Sequence, residues 1–312
     1  MSLVDSLKST LRGALPPASR AYLHRGQRRA RKTIRAVEHD AMRAFAAALT
    51  HLPLHLVAQL KDELHPTGTL DYQRSRIAMG VATAMELYRL RSCAKEPETV
   101  AWIESNIRPG DVMFDIGANV GAYSLVADAA SAGRARIIAF EPSFATFAQL
   151  NHNVFLNHAS ARITSLCLAV SSETGVATFR YSDLHSGAAL HTLAHHIGPA
   201  DDHSQAVLTV SLDDLVRRFG VPVPNVMKID VDGAEAAIIE GGAETLSRPE
   251  LRSVLIELDD SLDETRLMIG ALGRFGFAEL SKHRRHASRY YNYVFTRRAA
   301  LRTVVRSGDS RP

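Results

Sequence analysis

The chain has 312 residues, 46 % hydrophobic and 22 % charged, a composition that belongs to a folded globular protein and excludes wholesale disorder. Its only cysteines, Cys93 and Cys167, exclude a disulfide framework and favour a reducing, cytoplasmic setting; no apolar run reaches the roughly 18 residues of a membrane span. Residues 1–36 hold nine basic groups and one acid, a net +8, so with +4 overall residues 37–312 must sum to −4, which argues against a body built to bind nucleic acid.

In chain order, Leu3, Leu7, Leu11 and Leu15 repeat as one helical face does, up to the break at Pro16-Pro17. A basic amphipathic segment of this kind suits peripheral contact of residues 1–36 with an anionic membrane, or a helix packed on the body. Val37, Met42, Phe45 and Leu49 predict helix between Thr33 and Leu64, broken near Pro53. Further helices are expected over Arg76 to Cys93 and Glu98 to Asn106, with Trp102 as a packing residue. The period then changes. Short apolar runs at Val112 to Phe114, Arg136 to Phe140, Ile163 to Val170, Val226 to Ile229 and Val254 to Leu258 alternate with helical patterns from Val120, Phe144, Ala234 and Leu262. Such alternation implies a parallel sheet covered on both faces. Phe277 to Ser281 and Tyr290 to Thr296, joined by a basic loop, add a closing antiparallel hairpin.

In such a sheet ligands bind at the carboxyl ends of the strands. The first of these ends reads Phe114-Asp115-Ile116-Gly117-Ala118-Asn119-Val120-Gly121. Gly117 and Gly121 allow a tight turn and close approach of a ligand, and Asn119 tolerates left-handed geometry. A dinucleotide site wants Gly-x-Gly-x-x-Gly here; this loop instead follows an acid, Asp115, which suits a ligand carrying ammonium and sulfonium groups. S-adenosylmethionine (SAM) is such a ligand. Glu141, ending the second strand, sits where an acid reaches a ribose diol; alternatively it compensates the dipole of the helix from Phe144. Asp230, ending the fourth strand, is a candidate general base or a group that orients cofactor and acceptor; the other reading is a helix cap. Asp232 and Glu257 are the remaining catalytic candidates. Five histidines between Asp183 and Ser204 mark a polar loop where, together with the N-terminal helices, acceptor specificity is expected. His191 and His195 have metal-ligand spacing without a third ligand, so no metal site is expected. Cys167 reads as a core residue.

With Phe140-Glu141-Pro142, Asn153 to Asn157, Ala169-Val170-Ser171, Lys228-Ile229-Asp230-Val231-Asp232-Gly233-Ala234-Glu235 and Leu255-Ile256-Glu257, the first loop resembles the FkbM family of SAM-dependent methyltransferases over about Glu96 to Phe295. Asp232 stands where the family pattern has Glu. The resemblance implies a class I methyltransferase fold: a Rossmann-like, doubly wound, mostly parallel seven-stranded sheet with a C-terminal antiparallel strand, behind a helical N-terminal region. It implies SAM as cofactor, held by Asp115, Gly117, Asn119, Gly121, Glu141 and Asp230, and a hydroxyl of a sugar, glycolipid or secondary metabolite as acceptor. Domains are expected at 1–95 (helical basic extension), 96–298 (methyltransferase) and 299–312 (basic tail). The alternatives are a methyltransferase-like body that only tethers a membrane or partner, and a nicotinamide-dependent oxidoreductase.

Overall fold

The structure is a computed structural model and describes residues 37, 39–181, 184–187, 192–194, 203–285 and 289–298. The basic arm, the C-terminal tail beyond Arg298, and His191, His195 and His196 lie outside the described residues. Contacts divide the chain between His65 and Pro66, well before the boundary expected at 95/96. In the first unit residues 39–49 are helical and a second helix, Leu54–Glu63, begins after Pro53, where the sequence places the break. No helix among the described residues is long and apolar enough to cross a membrane.

The second unit opens with a feature that the helical reading of this region does not contain. β1 (Thr67–Thr69) and β2 (Ala78–Gly80) form an antiparallel hairpin. The single helix expected over Arg76 to Cys93 is replaced by β2 and two short helices, Ala84–Arg89 and Ser92–Lys95. The physical reason is a competing hydrogen-bond partner. Asn157 Oδ1 accepts from the Ala78 amide (2.9 Å) and its Nδ2 donates to the Ala78 carbonyl (2.7 Å), while Asn153 Oδ1 accepts from Gly80 (2.8 Å). These asparagines are one helical turn apart at the end of Phe144–Leu156 and hold the chain extended. Thr83 and Glu86 then form a reciprocal capping box that starts the helix Ala84–Arg89.

After the helix Pro97–Asn106, the parallel strands follow in alternation with helices: β3 (Val112–Ile116), Ala122–Ala130, β4 (Arg136–Phe140), Phe144–Leu156 and β5 (Ile163–Leu166). Trp102 packs as expected, its Nε1 donating to Ser253 Oγ at 2.9 Å. The apolar run ending at Val170 is split. Its second half is β6 (Ala169–Ser171), which leaves the main sheet for a small one with β7 (Gly175–Arg180), β8 (Thr192–Ala194) and β9 (Ser204–Ser211). Cys167 lies in the link at that switch and is exposed, contrary to its expected place in the core. β10 (Val226–Ile229), β11 (Ser253–Asp259), β12 (Phe277–Arg284) and β13 (Tyr290–Arg297) complete the main sheet, in the order β12-β13-β11-β10-β3-β4-β5. Contacts among β11, β10, β3, β4 and β5 are parallel; β13 lies antiparallel between β11 and β12. This is the seven-stranded, doubly wound α/β sheet that the alternation implies.

Strands buried on both faces read as continuous apolar runs, and side chains still alternate. Met113, Ile137 and Ala139 face one core with Trp102, Leu125 and Leu150; Phe114, Ile138 and Phe140 face the other with Ile238, Met268 and Leu272. The two-sided cover leaves the carboxyl ends of β3, β4 and β10 as the place where polar groups gather.

Replacing Asn157 by Ala removes both bonds to Ala78, which should cost about 1–3 kcal/mol in urea unfolding. Faster hydrogen exchange at Ala78 to Gly80 should accompany it; unchanged exchange there refutes the docking role.

Candidate active site

Past β3 the backbone turns at Gly117 (φ +77°), whose amide, with that of Ala118, donates to the Phe140 carbonyl at the end of β4 (both 3.0 Å). A Cβ at Gly117 would lie 2.0 Å from the Asp230 carbonyl oxygen, so this crossing of two strand ends demands glycine on space as well as on φ. Asn119 follows at φ +50° and Gly121 at +84°; the helix starts at Ala122, two residues later than its apolar pattern predicts. Gly121 faces Leu150 and does not line the cavity.

The turn is tied to the next strand by Glu141. Its Oε2 accepts from the Asn119 amide (3.0 Å) and its Oε1 from the Ser143 amide (2.9 Å). Burial pushes the Glu141 carboxyl up to about 7, although those amides and the Arg89 charge pull it down. Each carboxylate oxygen keeps a second lone-pair direction for a ligand hydroxyl.

A cavity of about 330 Å³ opens over these strand ends. Five of the sequence candidates line it: Gly117, Asn119, Glu141, Asp230 and Asp232. Asp115 does not. It is fully buried beneath the turn, with Oδ2 accepting from Ser124 Oγ (2.6 Å) and Oδ1 3.6 Å from Lys228 Nζ. Glu257 is also withdrawn, buried at the end of β11 and paired with Arg285. The helix beside Asp230 begins at Glu235 with Ala234 as its cap, so Asp230 is not a cap. Its carboxylate instead meets Lys228 Nζ at 2.9 Å and Arg285 at 3.9 Å. Burial alone would push the Asp230 carboxyl up, but these cations hold it well below the usual carboxylate range.

Sequence reasoning missed Lys228, Arg285, Glu96 and the wall formed by Met85, Tyr88 and Arg89, all of which line the cavity. Lys228 had a signal, a charge inside the apolar run Val226 to Ile229. Glu96, 3 % exposed, binds Arg285 (2.8 Å) and Lys95 (3.2 Å), contacts that no local pattern announces. Of the histidine-rich segment, Ser186 and Gly187 rest against this wall: Thr83 Oγ1 donates to the Ser186 carbonyl, and Arg89 donates twice to that of Gly187 (3.0 and 2.7 Å). A smaller apolar recess of about 50 Å³ adjoins the cavity, lined by Phe140, Leu168, Val170, Phe179 and Leu193 and sharing Gly117 and Pro142 with it. Among the described residues no group of three or more His, Cys, Asp or Glu is placed to hold a metal ion.

Four carboxylates (Glu96, Glu141, Asp230, Asp232) and four cations (Arg89, Lys95, Lys228, Arg285) line the cavity, with Asp115 and Glu257 directly behind them. The lining charges balance, and the two acids behind them make the site as a whole negative. It fits a ligand that bears a sulfonium and an ammonium against a single carboxylate, and a glycine turn beside a buried acid fits its ribose.

A methyltransferase FkbM domain matches residues 115–294, more than half of the chain. The hexuronic acid methyltransferase AglP of Haloferax volcanii is 27 % identical over 191 residues, covering 60 % of this chain and 74 % of that protein. The 31-O-demethyl-FK506 methyltransferase FkbM of Streptomyces tacrolimicus is 28 % identical over 201 residues, covering 56 % and 76 %. A crystal structure of methyltransferase FkbM from Methylobacillus flagellatus superposes with a TM-score of 0.44 at 17 % identity, over 68 % of this chain and 52 % of that one. The chain belongs to the FkbM family and is a methyltransferase whose cofactor is SAM.

Proposed function

We propose that the cavity holds SAM and directs its methyl group to a hydroxyl of a sugar or similar polyhydroxylated small molecule. The observation that carries this is Glu141, a buried carboxylate fixed by two backbone amides at the wall after β4. In this reading Glu141 accepts from the ribose diol, the apolar recess takes the adenine, and the turn Gly117 to Asn119 lies along the methionine part. SAM supplies a methyl activated on a sulfonium. The chain's own contribution is position: an acceptor oxygen held in line at near-attack distance gains much of the acceleration. Asp230 faces the cationic groups of the cofactor and Asp232 stands beyond it toward the acceptor, whereas Asp115 and Glu257 act from behind, through Lys228 and Arg285 respectively. The names of the two relatives, a hexuronic acid methyltransferase and a 31-O-demethyl-FK506 methyltransferase, support a small oxygen-bearing acceptor. The net +8 of residues 1–36 supports a second, separate contact with an anionic membrane, which salt-sensitive co-sedimentation with acidic liposomes tests.

Calorimetry with S-adenosylhomocysteine tests the cofactor assignment. Glu141→Ala should lose roughly ten- to a hundredfold in affinity, the worth of charge-assisted hydrogen bonds to ribose. The ribose hydroxyls need the ionised acid, so wild-type affinity should fall as pH drops below about 7. Glu141→Gln should show no such slope; equal wild-type affinity at pH 6 and pH 8 refutes the role.

Radiolabelled SAM offered with neutral and acidic sugars tests the acceptor. Label in an alkali-stable ether supports a hydroxyl acceptor, and label released by mild alkali as methanol places the methyl on a carboxylate and overturns it.

A further inference from the structure

Lys228 is the least expected side chain in the molecule. It lies inside β10, 1 % exposed, in a strand otherwise apolar. Its Nζ is 2.9 Å from Asp230 Oδ2, 3.6 Å from Asp115 Oδ1 and 5.3 Å from the centre of the Tyr123 ring. The buried Oδ1 of Asp115 has no hydrogen-bond partner, so the ammonium is what faces it. A buried ammonium is strongly disfavoured unless paired, and here the pairing reaches past the core to a residue of the cavity.

We propose that Lys228 is a positioning residue of the methyl-transfer site, acting through Asp230: it keeps that carboxylate ionised and fixed in one orientation toward the cofactor's cationic groups. The groups facing Asp230 come from six elements: Lys228 on β10, Arg285 after β12, Tyr123 on Ala122–Ala130, Lys95 on Ser92–Lys95 with Glu96 beyond it, Glu235 at the start of Glu235–Glu240, and Asp232 on its own loop. Arg285 is shared with Glu96 and Glu257, which leaves Lys228 as the cation closest to Asp230. A carboxylate bound to an ammonium and a guanidinium is a poor acceptor for a hydroxyl proton. Of the two roles open to Asp230 on sequence, base and orienting group, this geometry selects the second.

The inference rests on the cavity being the cofactor site, and the test separates the two. S-adenosylhomocysteine affinity is measured from pH 5.5 to 8.5 for wild type, Lys228→Met, Lys228→Arg, Asp230→Asn and the Lys228→Met/Asp230→Asn double variant. Lys228→Met should bind about tenfold more weakly than wild type at pH 6, with the ratio narrowing by pH 8.5 as Asp230 ionises unaided, while Lys228→Arg stays within about threefold. On top of Asp230→Asn the Lys228→Met loss should shrink to less than about threefold, because the two residues act as one unit. A pH-independent Lys228→Met loss, or losses that multiply in the double variant, overturns the inference. Absence of wild-type binding overturns the cofactor site itself. Where Lys228→Met does not fold, ¹³C-aspartate-labelled wild type without cofactor decides: the Asp230 carboxyl should titrate below the ordinary aspartate value of about 3.9, and a midpoint at or above that value overturns the proposal.

Discussion

Lys228 places an ammonium between Asp115 on β3 and Asp230 just past β10, at the end of the sheet where the cavity opens. Asp115 and Lys228 are buried, so removal of the ammonium would leave the Asp115 carboxylate uncompensated in the core, while Asp230 shares the same ammonium from the cavity side. The three therefore hold together. Because β3 and β10 are parallel neighbours with Lys228 opposite Asp115 in register, the ion group ties strand ends whose loops both line the cavity. The backbone repeats the link: the Asp230 amide donates to the Ile116 carbonyl (3.0 Å), and the Asp230 carbonyl occupies the space that a Cβ at Gly117 would need.

A second link runs from the same turn outward. Glu141 fixes the Asn119 amide, and Asn153, fully buried, donates to the Val120 carbonyl at 2.8 Å while accepting from Gly80 on β2. One asparagine side chain thus couples the turn to the hairpin that precedes the wall of Met85, Tyr88 and Arg89. The amides that sequence logic leaves open to a ligand are partly spent inside the turn: Gly117 and Ala118 on Phe140, Asn119 on Glu141, and Val120 on its neighbour's Oδ1. The turn is shaped before any ligand arrives, so less ordering remains to oppose binding.

The parallel core was legible because a strand buried on both faces must be a short apolar run, and β3, β4, β10 and β11 are such runs. Glu141 and the glycine turn were legible because strand-end position and backbone permissiveness are local properties. Asp115 stands out in the sequence as an acid in an unusual place, but its direction does not: which way a side chain leaves a strand end depends on the cation waiting behind it. The extended course of Ala78 to Gly80 was hidden for a related reason, since the asparagines that impose it lie more than seventy residues away. The split of the Ile163 to Val170 run depends on β9, a partner that local apolarity does not announce. Arg285 has no signal at all; one arginine in a basic hairpin looks like any other until Glu96, Asp230 and Glu257 converge on it.

These contacts also divide the lining of the cavity between two stretches of chain. The family match covers residues 115–294, which contain the glycine turn, Glu141, Lys228, Asp230 and Arg285. The wall from Met85 to Glu96 lies before it, and the hairpin that precedes this wall is held to the body through its backbone at Ala78 and Gly80. A backbone-mediated joint is indifferent to the side chains carried beyond it. Met85, Tyr88 and Arg89 can therefore change with no change in how β2 docks, while any change at Lys228 or Asp230 disturbs a buried charge balance shared by the whole site. Substitution is tolerated on the wall and disruptive on the floor, and the two are built from separate stretches of chain.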